Sequence, residues 1–184
     1  MHELAILQAI RLKGRIGEVA LAETLGSPRA AVAAALDDLT RAGLTVSRDP
    51  VRLSDAGRGR CNELLAAERA TANAHALAAS YGVFHVVNAE FKALVTEWQF
   101  SHDAEVLKRL DDIHHTVVPI IAAVAEQLPR LGAYSDKLEA ALRRITAGDT
   151  SWLARPMVDS YHTVWFELHQ ELIQACGLTR REDG

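Results

Sequence analysis

The chain has 184 residues and a formal net charge of −4, and 49% of its residues are hydrophobic although only 5% are aromatic. This length allows one compact domain or two small ones, and the many alanines and leucines favour helices packed on helices. No apolar run approaches the ~20 residues of a membrane-spanning helix, and no secretory pattern follows Met1, so we expect a cytoplasmic protein without a membrane partner. Cys61 and Cys176 form no CxxC pair, which argues against a zinc ribbon and a disulfide framework.

The sequence lacks the short motifs that usually carry enzyme chemistry. It has no G-x-S-x-G, no glycine-rich phosphate loop and no H-E-x-x-H. The adjacent carboxylates Asp37-Asp38 and Asp111-Asp112 diverge by about 100° on a helix and do not converge on one substrate. We therefore expect neither catalysis nor a cofactor.

The first third of the chain predicts three short helices. Apolar residues at helical intervals indicate a first helix that stops before Gly14 and a second that ends at Gly26. Ser27 is placed as the N-cap of the third helix, with Pro28 at its first position, where a missing N–H costs nothing. Gly43 then closes the third helix as a left-handed cap.

Two short strands are predicted after the third helix. They are Leu44–Val46 and Val51–Leu53, and they flank the turn pair Asp49-Pro50. Three helices followed by a hairpin give the order of a winged helix-turn-helix. Such a fold usually lays its third helix in the major groove of DNA.

Residues 18–60 resemble the winged-helix domain of MarR-type bacterial transcriptional regulators. The resemblance lies in LAETLG (Leu21 to Gly26), DLTRAGL (Asp38 to Leu44) and RLSDAGRGR (Arg52 to Arg60). It implies a mainly α protein: a winged helix-turn-helix domain with a short β-hairpin wing at residues 1–60, then an all-α helical bundle at residues 61–184. Double-stranded DNA and a second copy of the chain are the implied partners.

The resemblance places the DNA contacts on the third helix and the wing. The exposed face of that helix carries alanines where the family usually has polar side chains. Alanine offers no hydrogen bond to a base edge, whereas a bidentate contact supplies roughly 1–3 kcal/mol of discrimination per base pair, so Arg29 is the main candidate base reader. The expected DNA-binding residues are Ser27, Arg29, Ala30, Ala33, Arg48, Arg52 and Arg58.

Charge is unevenly divided along the chain. Residues 1–60 contain nine Lys and Arg against seven Asp and Glu, so they carry +2 and the remainder carries −6. Because DNA affinity comes largely from neutralised phosphates, this asymmetry favours the first part as the DNA-binding side.

After residue 55 the chain is predicted to be almost wholly helical. Helices are expected over residues 56–80, 83–100, 103–128, 135–147 and 155–176. Tyr81-Gly82 is the expected first interruption. Pro119 should kink or divide the third of these helices, because it removes a backbone hydrogen bond and clashes with the preceding turn.

Two further resemblances concern this helical half. Ala141–His162 (ALRRITAGDTSWLARPMVDSYH) is similar in rhythm to the last helices of the effector domains of GntR-type regulators, where the final histidine can bind a metal. The Asp-x-x-x-His pair of that family would fall at Asn88–Lys92, which reads NAEFK instead. DSYHTVWFELHQEL (Asp159 to Leu172) also looks like helical tails appended to some phosphoenolpyruvate-utilising enzymes.

Histidines provide the remaining chemical signal. Asp111 and His115 form an i,i+4 pair able to chelate a metal, and the third ligand would be His162, or alternatively His169, if packing brings it close. Hydrogen-bonded interior or rim histidines are the alternative. The stripe of Tyr161, Trp165 and His169 is either core or dimer interface, or it lines a pocket for a small-molecule effector beside His162.

Two functions remain open on the sequence alone. The first is a homodimeric, DNA-binding transcriptional regulator whose helical half binds a small effector. The second is an adaptor that does not bind DNA and docks on a protein partner such as a phosphoenolpyruvate-utilising enzyme. The alanine-rich third helix favours the second, whereas the fold motif and the wing arginines favour the first.

Overall fold

A computed structural model describes residues 3–178, apart from the side chain of Ala104. Within these residues it has eight α-helices and one two-stranded antiparallel sheet, which confirms the expected mainly helical class. The chain forms two compact units, unit 1 (Met1–Ala70) and unit 2 (Thr71–Gly184). The division therefore falls later than the boundary expected after residue 60, because the helix that begins at Asp55 continues to Thr71.

Unit 1 contains four helices and a hairpin. Its elements are α1 (Glu3–Lys13), α2 (Glu18–Thr24), α3 (Arg29–Arg41), β1 (Thr45–Val46), β2 (Arg52–Leu53) and α4 (Asp55–Thr71). The strands pair antiparallel, with Thr45 opposite Leu53. Ile16, between α1 and α2, also exchanges two backbone hydrogen bonds with Val51, at 2.8 and 3.1 Å.

Glycine and proline determine the ends of α2 and α3. Gly26 and Gly43 have φ values of +57° and +72°, in the left-handed region that glycine adopts without steric cost, as expected for helix ends. The expectation that Ser27 caps α3 is wrong. Pro28 is the N-cap residue, and the Ser27 hydroxyl instead donates to the Leu25 carbonyl at 3.2 Å.

The core of unit 1 is built from the inner faces of its helices and hairpin. Leu7, Leu21 and Val32 are fully buried, and Leu53 of β2 belongs to the same cluster. The α4 helix is joined to α1 by buried Cys61, whose Sγ lies 3.4 Å from Gln8 Oε1. It is also joined by an ion pair of Arg60 with Glu3 at 3.0 Å.

Unit 2 is a bundle of four longer helices and two short 3-10 turns. They are α5 (Ala74–Ser101), α6 (Ala104–Ala125), a turn at Pro129–Gly132, α7 (Ala133–Thr146), a turn at Thr150–Leu153 and α8 (Tyr161–Ala175). All four helices contribute buried side chains to one core, among them Phe84, Leu110, Leu138 and Leu168.

The expected break at Tyr81-Gly82 is wrong, and of the two outcomes expected at Pro119, a kink or a division, the division does not occur. The first break lies at residues 72–73, where the Asn73 side chain accepts hydrogen bonds from two backbone amides and caps α5. Tyr81-Gly82 lies inside α5, because one exposed glycine costs a helix only about 1 kcal/mol. Pro119 lies within the continuous helix α6 and does not divide it.

The start of α8 is also later than expected. The helix begins at Tyr161, with the Ser160 hydroxyl accepting from the Thr163 amide, rather than at residue 155. Met157 has a φ of +64°, which is incompatible with an α-helix, and so the segment before Ser160 stays outside α8.

None of the helices in the described part of the chain combines the length and the apolar composition needed to cross a membrane.

The close approach of α4 to the segment before β1 predicts a stability difference between two glycines. A Cβ added at Gly57 would overlap the carbonyl of Leu44, which itself accepts from the Ser54 amide at 3.0 Å. We expect Gly57→Ala to lower the free energy of unfolding by about 2 kcal/mol, since backbone must move to relieve the overlap. Urea unfolding followed by circular dichroism measures this change.

Gly59→Ala is the matched control on the same helix. A Cβ at Gly59 meets nothing within 4 Å. Replacing a helical glycine with alanine should therefore stabilise the protein by about 0.5–1 kcal/mol. Equal unfolding midpoints for the two variants would disprove the close approach at Gly57.

Candidate functional site

The predicted DNA-binding residues lie at the start of α3, in the β1–β2 hairpin and, for Arg58, in the first turn of α4. Val32, Leu36 and Leu39 turn the apolar face of α3 into the core, which leaves Arg29 and Ala30 exposed. Ala33 is half-buried. The exposed face of α3 is therefore flat and poor in hydrogen-bonding groups, as the sequence indicates.

Several arginines of this surface already hold carboxylates of the same unit. Arg29 Nε lies 2.7 Å from Glu18 Oε1, and this hydrogen bond raises the pKa of Arg29. Arg48 Nη2 lies 2.7 Å from Asp37 Oδ1, which links the hairpin to α3. Exposed ion pairs contribute only about 0–1 kcal/mol, so a phosphate can replace the carboxylate at small cost.

Arg58 is held differently from the hairpin arginines. It forms an ion pair with Asp55 one turn earlier in α4 and also donates to the Leu53 carbonyl at 3.2 Å. The second hydrogen bond directs the guanidinium back to the end of β2. Arg58 is therefore positioned at the hairpin base rather than extended into solvent.

Among the predicted DNA-binding arginines, Arg52 is the one that forms no ion pair with a carboxylate of the described residues. It lies exposed in β2, opposite Val46. Arg15, which directly precedes Ile16, is a second exposed arginine without an ion pair among the described residues, and the sequence analysis did not predict it. Because Ile16 pairs with Val51, Arg15 and Arg52 lie on adjoining backbone segments. The strand pairing that joins them is not visible in a local sequence pattern.

The N-terminus of α3 provides a third feature of this surface. Pro28 makes no side-chain cap hydrogen bond, so the first amides of α3 have no capping side chain. Ser27, Pro28 and Arg29 line a shallow hollow here together with Glu23. Amides at a helix N-terminus favour a phosphate oxygen, although Glu23 opposes one.

The aromatic stripe of α8 lies in the core of unit 2. Trp165 stacks on Phe91 with ring centroids 4.3 Å apart and donates its indole N–H to Asn88 Oδ1 at 2.9 Å. Tyr161 is completely buried beside it. Of the two readings that the sequence left open for this stripe, the structure supports the core.

The histidines of the expected effector pocket do not complete one. His162 is exposed on α8, and its pKa is lowered by partial desolvation of the ring, which lies 6.1 Å from Phe91. His169 is half-buried and packs against the rings of Tyr81 and Phe84 at 6.2 and 5.5 Å. These contacts are those of aromatic packing.

The expected metal site is not assembled. Asp111 and His115 approach one another, but His115 Nδ1 lies 2.8 Å from the Asp111 backbone oxygen and 3.5 Å from its carboxylate. Among residues 3–178, no group of three His, Cys, Asp or Glu side chains is placed to hold a metal ion. His162 therefore does not join the pair, because α8 turns Tyr161 rather than His162 towards α6.

His114, which the sequence analysis left without a role, belongs to a buried polar network. Its Nδ1 lies 3.2 Å from the Tyr161 hydroxyl, and its Nε2 lies 3.1 Å from Glu139 Oε2. Burial raises the pKa of the Tyr161 hydroxyl, which stays protonated. The signal was present in the sequence, since His114 shares a helical face with Leu110 and Val117.

A second buried network joins α8 to the turn before α7. Arg130 donates to Glu171 Oε1 at 2.6 Å, and Glu171 is 2% exposed. The Tyr134 hydroxyl lies 3.4 Å from the same oxygen, and burial followed by the nearby carboxylates raises the pKa of Tyr134. This ion pair connects α8 to the 3-10 turn at Pro129–Gly132.

Comparison with known proteins does not extend this description. No protein-family model, curated protein or solved structure matches the chain. The function is therefore inferred from the contacts and charges of the chain itself.

The network around Tyr161 predicts that removing either of two buried tyrosine hydroxyls changes the free energy of unfolding by different amounts. Tyr161→Phe removes the partner of His114 Nδ1, so we expect it to lower the free energy of unfolding by about 1–2 kcal/mol. Tyr81→Phe is the matched control, because the Tyr81 hydroxyl is buried without a hydrogen-bond partner among the described residues. Its loss should be neutral or slightly stabilising, as measured by urea unfolding.

Proposed function

We propose that this protein is a DNA-binding transcriptional regulator that binds duplex DNA through unit 1. The observation that carries the proposal is the exposed surface of α3 and the hairpin, where Arg52 forms no ion pair with a carboxylate of the described residues. A free cation beside an exposed helix is the arrangement that a phosphate backbone requires.

The order of elements supports a winged-helix arrangement for unit 1. Helices α1 to α3 precede the β1–β2 hairpin, which would be the wing. The pairing of Ile16 with Val51 adds a third short strand segment between α1 and α2. In this arrangement α3 is the helix that enters the major groove.

The proposed interface depends on phosphate contacts more than on base reading. Arg52 and Arg15 are available without breaking an ion pair, while Arg29 and Arg48 exchange a carboxylate for a phosphate. The alanines of α3 allow close approach of the helix to DNA but provide no hydrogen bonds. We therefore expect strong dependence on salt and modest selection among sequences.

The proposed regulator is a homodimer. In α5, Val83 and Val86 are 55% and 61% exposed and lie one turn apart, next to the small residues Gly82 and Ala89. Small residues beside exposed valines allow two helices to pack closely. A dimer would also double both the number of phosphate contacts and the length of DNA that is read.

A second candidate function is an adaptor that binds a protein partner through the same side of unit 1. The specific observation in its favour is that Arg29 and Arg48 are already neutralised by Glu18 and Asp37. A flat, alanine-rich helix face with internally satisfied charges suits protein contact better than phosphate contact. The resemblance of the last helix to tails of phosphoenolpyruvate-utilising enzymes suggests such an enzyme as the partner.

Removing Arg52 tests the DNA interface. We expect Arg52→Ala to lower affinity for all duplexes alike, and to make the slope of log affinity against log salt shallower by about 1, because one phosphate contact is lost. Arg29→Ala should instead reduce the difference between preferred and other sequences. Fluorescence anisotropy with genomic fragments at about 50 and about 200 mM salt measures both effects.

Arg143→Ala is the charge-matched control, since Arg143 is exposed on α7 of unit 2. It should leave DNA affinity unchanged. Absence of binding to any fragment at the lower salt concentration would overturn the regulator and favour the adaptor. Equal losses for Arg52→Ala and Arg143→Ala would show that only overall charge matters.

Placing a charge on the exposed valines tests the dimer. We expect Val86→Glu to convert a dimer into a 20.1 kDa monomer, because paired copies would bury two unpartnered carboxylates. Sedimentation velocity distinguishes the two states. Val46→Glu adds the same charge at an exposed valine of β1 and should leave the dimer intact. A wild-type monomer would refute the proposed dimer directly.

A further inference from the structure

A hollow opens in unit 2 between the last turn of α5 and the segment around residues 150–156. Trp98, Gln99 and His102 form one wall, and Thr150 and Arg155 belong to the other. The hollow has a volume of about 680 Å³, within the range of ~300–1,000 Å³ that is typical of small-molecule sites. It lies away from the aromatic stripe of α8 and from the histidines considered above.

The charges of this hollow suit an anion. None of the side chains that line it is a carboxylate, and Arg155 is exposed without an acidic partner among the described residues. The two nearest acids in sequence have other partners: Asp159 lies 3.4 Å from Lys137 Nζ, and Asp149 accepts the Ser151 hydroxyl at 2.6 Å. An arginine fork matches a carboxylate in two parallel hydrogen bonds, and the Thr150 hydroxyl and Gln99 amide add donors beside it.

The other wall of the hollow is apolar and aromatic. The Trp98 ring is mostly buried and lies 5.2 Å from the His102 ring, tilted by 45°. His102 is fixed by its backbone N–H, which donates to the Trp98 carbonyl at 3.1 Å. Together with Pro156 these rings form a surface against which a planar apolar group can pack.

Two residues with positive φ and two exposed apolar side chains lie in or next in sequence to the residues that line the hollow. His102 has a φ of +51° because it is the left-handed C-cap of α5, and Met157, next to Pro156, has a φ of +64°. Phe100 and Met157 are 84% and 85% exposed, next in sequence to lining residues.

We propose that this hollow binds a small carboxylate that carries an aromatic or other planar ring. Arg155 holds the carboxylate, with Thr150 and Gln99 as further donors, and the ring packs on Trp98 and Pro156. The site is independent of the proposed DNA interface, since every residue that forms it belongs to unit 2. Failure of DNA binding therefore leaves it untouched, and the reverse also holds.

Benzoate is the probe that tests the site on the full chain. Amide nitrogen–proton correlation spectra resolve the indole N–H signals of the three tryptophans, and Trp98→Phe assigns the one from the hollow. We expect millimolar benzoate to shift the Trp98 signal saturably. The Trp165 signal should stay in place, because that indole is buried and donates to Asn88.

The charge requirement separates the proposed site from nonspecific binding. Benzamide, a neutral molecule of the same shape, should bind the wild-type protein at least 10-fold more weakly than benzoate does. The Arg155→Gln variant should likewise bind benzoate at least 10-fold more weakly than the wild type. Arg143→Gln removes the same charge from an exposed position of α7 and should bind benzoate as the wild type does. Undiminished binding to Arg155→Gln, or equal binding of benzoate and benzamide, would overturn the proposal.

Inorganic phosphate tests the role of the ring. Phosphate can form an ion pair with Arg155 but has no ring to pack on Trp98. It should therefore compete with benzoate at least 10-fold less effectively than a second aromatic carboxylate such as phenylacetate. Equal competition would show a plain anion site and refute the ring pocket. The site itself would be refuted if none of these molecules shifted the Trp98 signal at concentrations up to about 20 mM.

Discussion

The register of α8 against α5 is the constraint on which the architecture of unit 2 depends. Trp165 is stacked on Phe91 and hydrogen-bonded to Asn88, so α8 cannot slide by one turn of about 5.4 Å without leaving the indole N–H unpaired. Glu171, bound by Arg130, holds the other end of the same helix. With α8 fixed from Tyr161 onward, the preceding segment stays outside the helix and forms one wall of the hollow.

Unit 1 shows a competition between internal and external partners for its arginines. Carboxylates of α2 and α3 hold Arg29 and Arg48, yet these pairs are exposed and therefore weak. In the free protein, the charges of Arg29 and Arg48 are therefore balanced by Glu18 and Asp37. Arg52 and Arg15 lie outside this internal pairing, so under the proposed function they are the arginines that contact a phosphate without losing an ion pair.

Local sequence signals predicted the elements better than they predicted which residues meet. The glycines at the ends of α2 and α3 and the hairpin were predictable because a positive φ or a turn depends on one or two residues. Capping by Ser27 and a break at Tyr81-Gly82 were wrong because neighbouring carbonyls and core burial outweighed weak local preferences. The core position of Trp165 and the meeting of Trp98 with Arg155 depend on partners more than fifty residues away, which a local pattern does not contain.

The continuity of α5 through Gly82 has a mechanical consequence. From Val83 to Trp98 the helix has sixteen residues and rises about 22 Å at 1.5 Å per residue, without a proline or a second glycine. This stretch carries the exposed valines Val83 and Val86 near the middle of α5 and a wall of the hollow at the end of the helix. Because its backbone hydrogen bonds continue through this stretch without a kink-forming residue, α5 holds the two surfaces at a fixed spacing along one axis.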